Sequence, residues 1–396
     1  MIDVGIMGAG LIARLGHAPA IRETAGLRLV AVYDPNPDAL AEFGEDFPDV
    51  ELCSDTEKFF ACNLQAVSIC SSAPAHLSNV REAAAHGLPV LCEKPLAMQD
   101  SEISSMISIM DEARLPFVAA FCYRFSPVAQ EIKRLVNSGA IGKVRVLRLI
   151  YNWNLHGKYY PEADGSWQEN PYRIGRMLEG GPLVDCGVHQ IDLARSWTGS
   201  EVRDFRADAA WIDEEYEAPG HMWLHMEHEN DCRTQIEISF AYTHTAKDSR
   251  SLFTYDLIGT GGVIHYNRDG CRFELRNGHE TRMLPGAGEK NFFGMYQAWA
   301  RALRTGDYSE MPTGRDGRIA TRIARTATES CIAQRRAANN RTLVLPPTPV
   351  VPVAAPTFSP EFSPETTQPN RVPAKRLPYP RPRMERIPCG SPNHKR

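Results

Sequence analysis

No stretch of eighteen apolar residues occurs in the chain, so no membrane-spanning helix is expected. Basic charge is not in excess either. Against 44 Lys and Arg stand 48 Asp and Glu, a formal net charge of −4, which offers no overall field to nucleic acid or to an anionic membrane. No Cys-x-x-Cys is found. The ten cysteines, at 53, 62, 70, 92, 122, 186, 232, 271, 331 and 389, are scattered through apparent strands and helices. They suggest neither a zinc ribbon nor a disulfide framework, and a reducing cytosol suits them. The N-terminus, Met1-Ile2-Asp3-Val4-Gly5-Ile6-Met7, lacks a basic region and a small-residue cleavage site. It reads as a strand that starts at once, and a cytoplasmic protein is expected. Internal repeats are absent.

What is present is ordinary in amount and ordered in pattern. With 396 residues, 43% of them hydrophobic, the chain can bury two sizeable cores. Apolar strands are expected at Val4–Met7, Leu27–Tyr33, Ala66–Cys70, Pro89–Cys92 and Phe117–Phe121. Helical patterns lie between them, at His76–His86 and at Gln99–Ala113, with Asp100 or Ser101 as N-cap. Short, almost wholly apolar strands separated by helices imply a doubly wound parallel sheet, a Rossmann-type α/β domain over residues 1–122. From 123 to 344 the pattern changes to longer alternating strands. In "TQIEISFAY", Ile236, Ile238, Phe240 and Tyr242 face one way and Gln235, Glu237 and Ser239 the other. An α+β domain with an open, mostly antiparallel sheet is expected there. Two helices follow, Phe292–Arg304 and Arg315–Arg336, one of which should pack back on the first domain. Residues 345–396 hold fourteen of the 29 prolines and are basic from Arg371 onward. They read as a disordered proline-rich extension, or as an arm that lies on a partner subunit.

The first strand runs into Gly8-Ala9-Gly10-Leu11-Ile12-Ala13, the G-x-G-x-x-A form of a dinucleotide fingerprint. Gly8 permits the turn, Gly10 lets backbone approach a pyrophosphate, and Ala13 lets helix sit close to strand. The pyrophosphate would lie on the helix N-terminus. The second strand ends at Asp34, whose carboxylate can accept from both ribose hydroxyls and would repel a 2′-phosphate. No arginine follows it, so NAD is favoured over NADP. At the third strand end, Ser71, Ser72 and His76 could line the nicotinamide ribose. The fourth strand ends in Glu93-Lys94-Pro95, which by the same rule places Lys94 on the cofactor side.

A second constellation is "GGPLVDCGVHQID", Gly180–Asp192. Asp185 and His189 stand four apart and share a helix face. Carbinol oxidation needs a base for the hydroxyl proton and a cation for the alkoxide-like oxygen. His189 suits the first and Lys94 the second, with Asp185 orienting either and able to raise the basicity of His189. Asp and His at this spacing could also share a metal ion, but no third ligand is evident and none is expected.

In this order, "MGAGLIA", the acid after the second strand, "LCEKPLA", "FCYRFSP" and "GGPLVDCGVHQID" resemble the Gfo/Idh/MocA oxidoreductase family over residues 1–344. "PTGRDGRIA" resembles its usual opening of the last helix. The resemblance implies that Lys94 is the active-site lysine, His189 the acid/base and Asp185 its partner. It puts Tyr123 and Arg124 near substrate or nicotinamide, and implies a homodimer or homotetramer. Three positions depart from the family pattern: Ser71-Ser72-Ala73 replaces Thr-Pro-Asn, Cys122 replaces Asn, and Pro182 replaces Gly.

The insertion Asn152–Glu179 should cover the pocket. Trp153, Trp167, Tyr172 and Arg173 within it offer aromatic faces and donors that suit a sugar or cyclitol. NAD-dependent oxidation of a sugar or polyol hydroxyl is the first reading. A redox-neutral glycoside hydrolase or lyase that oxidises its sugar transiently is the alternative. A non-enzymatic NAD and sugar sensor is the third, and the retained Lys94, Asp185 and His189 argue against it.

Overall fold

Six short strands build a wholly parallel sheet: β1 (Ile2–Met7), β2 (Leu27–Tyr33), β3 (Glu51–Cys53), β4 (Ala66–Ile69), β5 (Val90–Cys92) and β6 (Phe117–Ala119), in the order β3-β2-β1-β4-β5-β6. The computed structural model describes residues 1–339 apart from 163, 214 and 287. The proline-rich segment expected at 345–396 lies outside them. Helices α1 (Ala18–Glu23), α2 (Pro37–Asp46), α3 (Thr56–Phe60), α4 (His76–Ala85) and α5 (Asp100–Glu112) connect these strands. Both faces are covered, so β4 and β5 are buried at every residue. β3 escapes the sequence pattern because it is a three-residue edge strand with only Cys53 buried. The N-cap of α5 is Gln99 rather than Asp100 or Ser101. Gln99 and Glu102 cap each other reciprocally, which satisfies two free donors at once.

After α6 (Pro127–Asn137) comes an eight-stranded sheet. Its strands are β7 (Val144–Asn152), β10 (Val202–Ala210), β11 (His221–His228), β12 (Arg233–Ser239), β13 (Leu252–Gly259), β14 (Gly262–Asn267), β15 (Arg272–Asn277) and β16 (Thr281–Met283). The order is β10-β11-β12-β7-β13-β14-β15-β16. All neighbours are antiparallel except β12 and β7, which run parallel, so the sheet is mixed at its centre. Ile236, Ile238 and Phe240 are fully buried as expected, whereas Tyr242 is 38% exposed because β12 ends at Ser239. The buried face packs against α8 (Val188–Thr198). Each aliphatic chain removed from water there contributes about 1.5–3 kcal/mol. A small ribbon of β8 (Tyr159–Pro161) and β9 (Trp167–Glu169), then α7 (Pro171–Leu178), forms the insertion.

The chain then returns to its beginning. α9 (Phe292–Thr305) packs on α1, and α10 (Gly314–Asn339) follows. Ala119 N–H donates to Pro312 O at 2.9 Å, and Arg318 holds Asp100 with two bonds of 2.8 and 2.6 Å. Both last helices therefore touch the first sheet's domain, where the sequence reading expected one.

Candidate active site

The ends of β1, β4 and β5 converge where the strand order reverses, the place at which open parallel sheets bind ligands. Gly8 has φ +104°, and a Cβ there would stand 2.4 Å from Ser71 N, so only glycine closes this turn. A Cβ at Gly10 would meet nothing within 4 Å, which leaves its backbone open to a phosphate. The helix that opens at Leu11 passes through a π turn at Ala13–His17. Asp34 Oδ2 accepts from Ala9 N–H at 2.8 Å and Oδ1 from Asn36 N–H at 2.9 Å. The acid braces the glycine turn from the next strand. These residues fit a dinucleotide: an open turn, a helix N-terminus and a carboxylate at the ribose position.

Ser71 and Ser72 follow β4. Ser71 Oγ accepts from Asn79 at 2.9 Å, and Ser72 is exposed. His76 departs from the sequence expectation. It is 1% exposed, with Nδ1 2.9 Å from Leu96 O and Nε2 2.9 Å from Ser71 O. Its ring ties two loops together and has no nitrogen left for a cofactor.

Lys94 sits after β5, with a cis bond to Pro95. Its Nζ donates to Asp185 Oδ1 at 2.7 Å and to Asp185 O at 2.9 Å. An ammonium has three N–H groups, so one remains. Burial alone would raise the Asp185 carboxyl, but the Lys94, Arg176 and Lys290 cations hold it well below the carboxylate range. Asp185 thus belongs to Lys94 and forms no hydrogen bond to His189. The reason is local: Leu183–Gly187 is a π turn, and α8 begins only at Val188. A widened turn changes the facing of residues four apart, and such turns cluster at functional sites.

His189 is 1% exposed, and neither ring nitrogen has a partner. Tyr123 stands edge-on to it at 4.9 Å and Phe121 at 5.7 Å. Burial first, then the charges of Lys94 and Lys290, push its pKa well below 6.5. Asp185 does raise the basicity of His189, as expected, but burial and the two lysines outweigh it. The imidazole is neutral, and a buried polar group without a partner calls for a ligand.

Arg124 also departs from expectation. It grips Asp192 with bonds of 2.7 and 2.6 Å and so fastens the Cys122–Phe125 turn to α8. In the insertion, Trp153 stacks on Tyr151 at 5.8 Å, and Tyr151 meets Tyr123 at 6.4 Å, which connects it to the His189 cluster. Trp167 is 67% exposed and Tyr172 60% exposed, and neither shares a ring contact with that cluster. Arg173 is 1% exposed; it bonds to Asp213 and to Phe240 O and anchors the insertion instead of facing a ligand.

One network went unseen in the sequence. His17, fully buried, lies with Nε2 2.8 Å from Glu93 Oε1 and Nδ1 2.7 Å from the Tyr296 hydroxyl. Ser68 Oγ stands 2.6 Å from the same hydroxyl, and Glu93 Oε2 accepts from Lys94 N–H at 3.0 Å. Burial would discharge His17, but the Cys70 thiol, the Tyr296 hydroxyl and the Glu93 carboxylate raise its pKa well above 6.5. Glu93 is pushed down to about 2 against its burial by the His17 bond and charge. A histidine one turn past a glycine fingerprint was the only available signal.

Residues 2–121 match the oxidoreductase family with an NAD-binding Rossmann fold, and residues 129–265 match the Gfo/Idh/MocA C-terminal domain. The chain is 25% identical over 288 residues to a D-apiose dehydrogenase of Paraburkholderia graminis, covering 71% of this chain and 72% of that protein. It is 29% identical over 295 residues to a 2,7-anhydro-N-acetylneuraminate hydratase of Mediterraneibacter gnavus, covering 72% of each. Its fold is shared with an oxidoreductase from Agrobacterium radiobacter solved with NAD+, L-tartaric acid and magnesium. There the TM-score is 0.68 at 21% identity, over 86% of this chain and 97% of the other.

Proposed function

The chain belongs to the Gfo/Idh/MocA oxidoreductase family, and from that premise we propose that it oxidises a secondary hydroxyl of a sugar or polyol with NAD. The observation that carries this reading is the pairing of an ammonium with one N–H to spare and a buried imidazole with both nitrogens free. Lys94 holds the substrate oxygen as negative charge develops on it. His189, neutral at physiological pH, receives the hydroxyl proton. Asp185 fixes the ammonium in place. A bound nicotinamide supplies the hydride acceptor. Asp34 supports NAD rather than NADP, because its carboxylate would repel a 2′-phosphate. The exposed Val146 and Ile258, paired across β7 and β13 on the outward face of the second sheet, support assembly as a dimer or tetramer.

A second reading has its own support. The hydratase relative is named for a reaction without net oxidation. The same residues could oxidise a sugar transiently, allow elimination and return the hydride.

The test uses purified protein, NAD and a panel of sugars, cyclitols, sugar acids and aryl glycosides. Both 340 nm absorbance and product release are followed. Substrate-dependent growth at 340 nm, abolished by Lys94→Ala and by His189→Ala, supports the dehydrogenase. Product release without growth at 340 nm supports the redox-neutral reading. Neither signal, in protein that binds NAD, overturns both.

A further inference from the structure

Among the described residues, the charged side chains that act on Lys94 and Asp185 have partners of opposite charge, with one exception. Lys94 pairs with Asp185 at 2.7 Å, His17 with Glu93 at 2.8 Å, and Arg176 with Glu179 at 2.6 Å. Arg176 also reaches to 4.0 Å from Asp185. Lys290 makes no hydrogen bond and no ion pair among the described residues.

The position of Lys290 is set by its neighbours in the loop before α9. Gly288 N–H donates to the Tyr266 hydroxyl at 2.8 Å. Asn291 N–H donates to Cys122 O at 3.3 Å, and its side-chain amide donates to Phe125 O at 2.7 Å. Asn291 Oδ1 caps α9 by accepting from Gly294 N–H at 2.8 Å. Phe292 lies against His17 at 4.9 Å between ring centres. Lys290 is therefore pinned beside the Cys122–Phe125 turn, which carries Tyr123 against His189. Its ammonium interacts with Asp185 and Glu93, and it disfavours the charged forms of Lys94, His189 and His156. Yet the residue is solvent-exposed. Its ammonium therefore acts on the Lys94–Asp185 pair and is still open to solvent, where a ligand can reach it.

A cation left without a partner beside these groups attracts an anion, and Arg176, though paired with Glu179, adds a second positive charge 4.0 Å from Asp185. Building on the proposed dehydrogenase reading, we infer that the substrate carries a carboxylate, held by Lys290 with Arg176 beside it. The substrate class is then a sugar acid, such as a uronate or aldonate, rather than a neutral sugar or cyclitol. Lys290 determines specificity and takes no part in proton transfer.

The test compares matched pairs, D-galacturonate with D-galactose and D-glucuronate with D-glucose, in wild-type protein and in Lys290→Met and Lys290→Arg. A charge-assisted contact at this point should favour the acid over its neutral partner by about tenfold to a hundredfold in kcat/KM. Lys290→Met should collapse that ratio towards one, mainly through KM, and Lys290→Arg should restore part of it. Calorimetric titration of galacturonate into the NAD-bound protein should show the same order of affinity. Neutral sugars turned over as well as their acids would overturn the inference and leave the dehydrogenase reading standing. So would a Lys290→Met variant that loses NAD affinity while its acid preference persists, since the ammonium would then serve the pyrophosphate. Failure of every sugar, acid and neutral alike, to reduce NAD would instead strike the underlying reading.

Discussion

Asp185 meets Lys94, 91 residues away in sequence, through two of its own oxygens, a side-chain carboxylate at 2.7 Å and a backbone carbonyl at 2.9 Å. Two bonds fix an ammonium far better than one. The third N–H then has a defined direction, which the role proposed for Lys94 needs. Lys94→Ala should lower kcat by about 10²- to 10⁴-fold. Asp185→Asn keeps the carbonyl bond and loses the charge. Its kcat should fall by roughly tenfold or more, with the fold intact by circular dichroism. An Asp185→Asn protein of undiminished kcat would show that the pair is structural.

Because burial and the neighbouring cations push His189 well below 6.5, its neutral form persists into acid. The free-enzyme profile of kcat/KM should therefore hold level from pH 7.5 down to pH 6, where an ordinary histidine would begin to protonate. A fall with a midpoint near 6.5 would assign the proton to another group.

The His17–Glu93 pair predicts a stability window. His17 is raised, so its contribution is complete below the unfolded value of 6.5 and fades as pH climbs above it. Glu93 is lowered, so its contribution is complete above 4.5 and fades as pH falls towards about 2. Thermal melts should separate wild type from His17→Gln most widely between pH 4.5 and 6.5, with the gap narrowing at pH 9. A gap that is flat across this range would mean that His17 is uncharged in the fold.

Asp34 braces Ala9 N–H at the end of β2, where the proposed NAD would place its ribose. Asp34→Ala should weaken NAD by about tenfold to a hundredfold and narrow the proposed preference for NAD over NADP, read by fluorescence titration with each cofactor.

Arg173→Met leaves Asp213 buried without its guanidinium, although Lys158 at 3.3 Å and His244 at 3.0 Å remain. Removing one member of such a pair costs about 3–5 kcal/mol where no substitute exists, and less where one does. Denaturant titration should show a loss within that bound, and the insertion should become more sensitive to protease.

The fold and the position of the lysine were legible because each rests on local signals. Apolar runs mark strands, glycines mark the turn, and the end of β5 delivers Lys94 to the switch point. Asp185 and His189 were legible as residues but not as partners. Their geometry depends on a π turn, which no periodicity announces. His76, Arg124 and Arg173 have the chemistry of ligand-binding groups, and their actual partners, Leu96 O, Asp192 and Asp213, come from distant segments. Tertiary pairing is what a single sequence conceals. Lys290 carried no motif at all, and only the loop's anchoring to Cys122 and Phe125 reveals it.

The hydroxyl of Tyr296 touches His17 and Ser68, and Phe292 covers the same imidazole. A ribosome releases Ser68, His17 and Glu93 long before it reaches either aromatic. For that interval the nascent nucleotide fold carries an open seam beneath the candidate active site, with polar groups meant for burial still in water. The two halves of the sequence are thus not two independent folding events. Translation must run past α9 before the floor under Lys94 is sealed, and a fragment cut at the sequence boundary near residue 122 would keep that seam open.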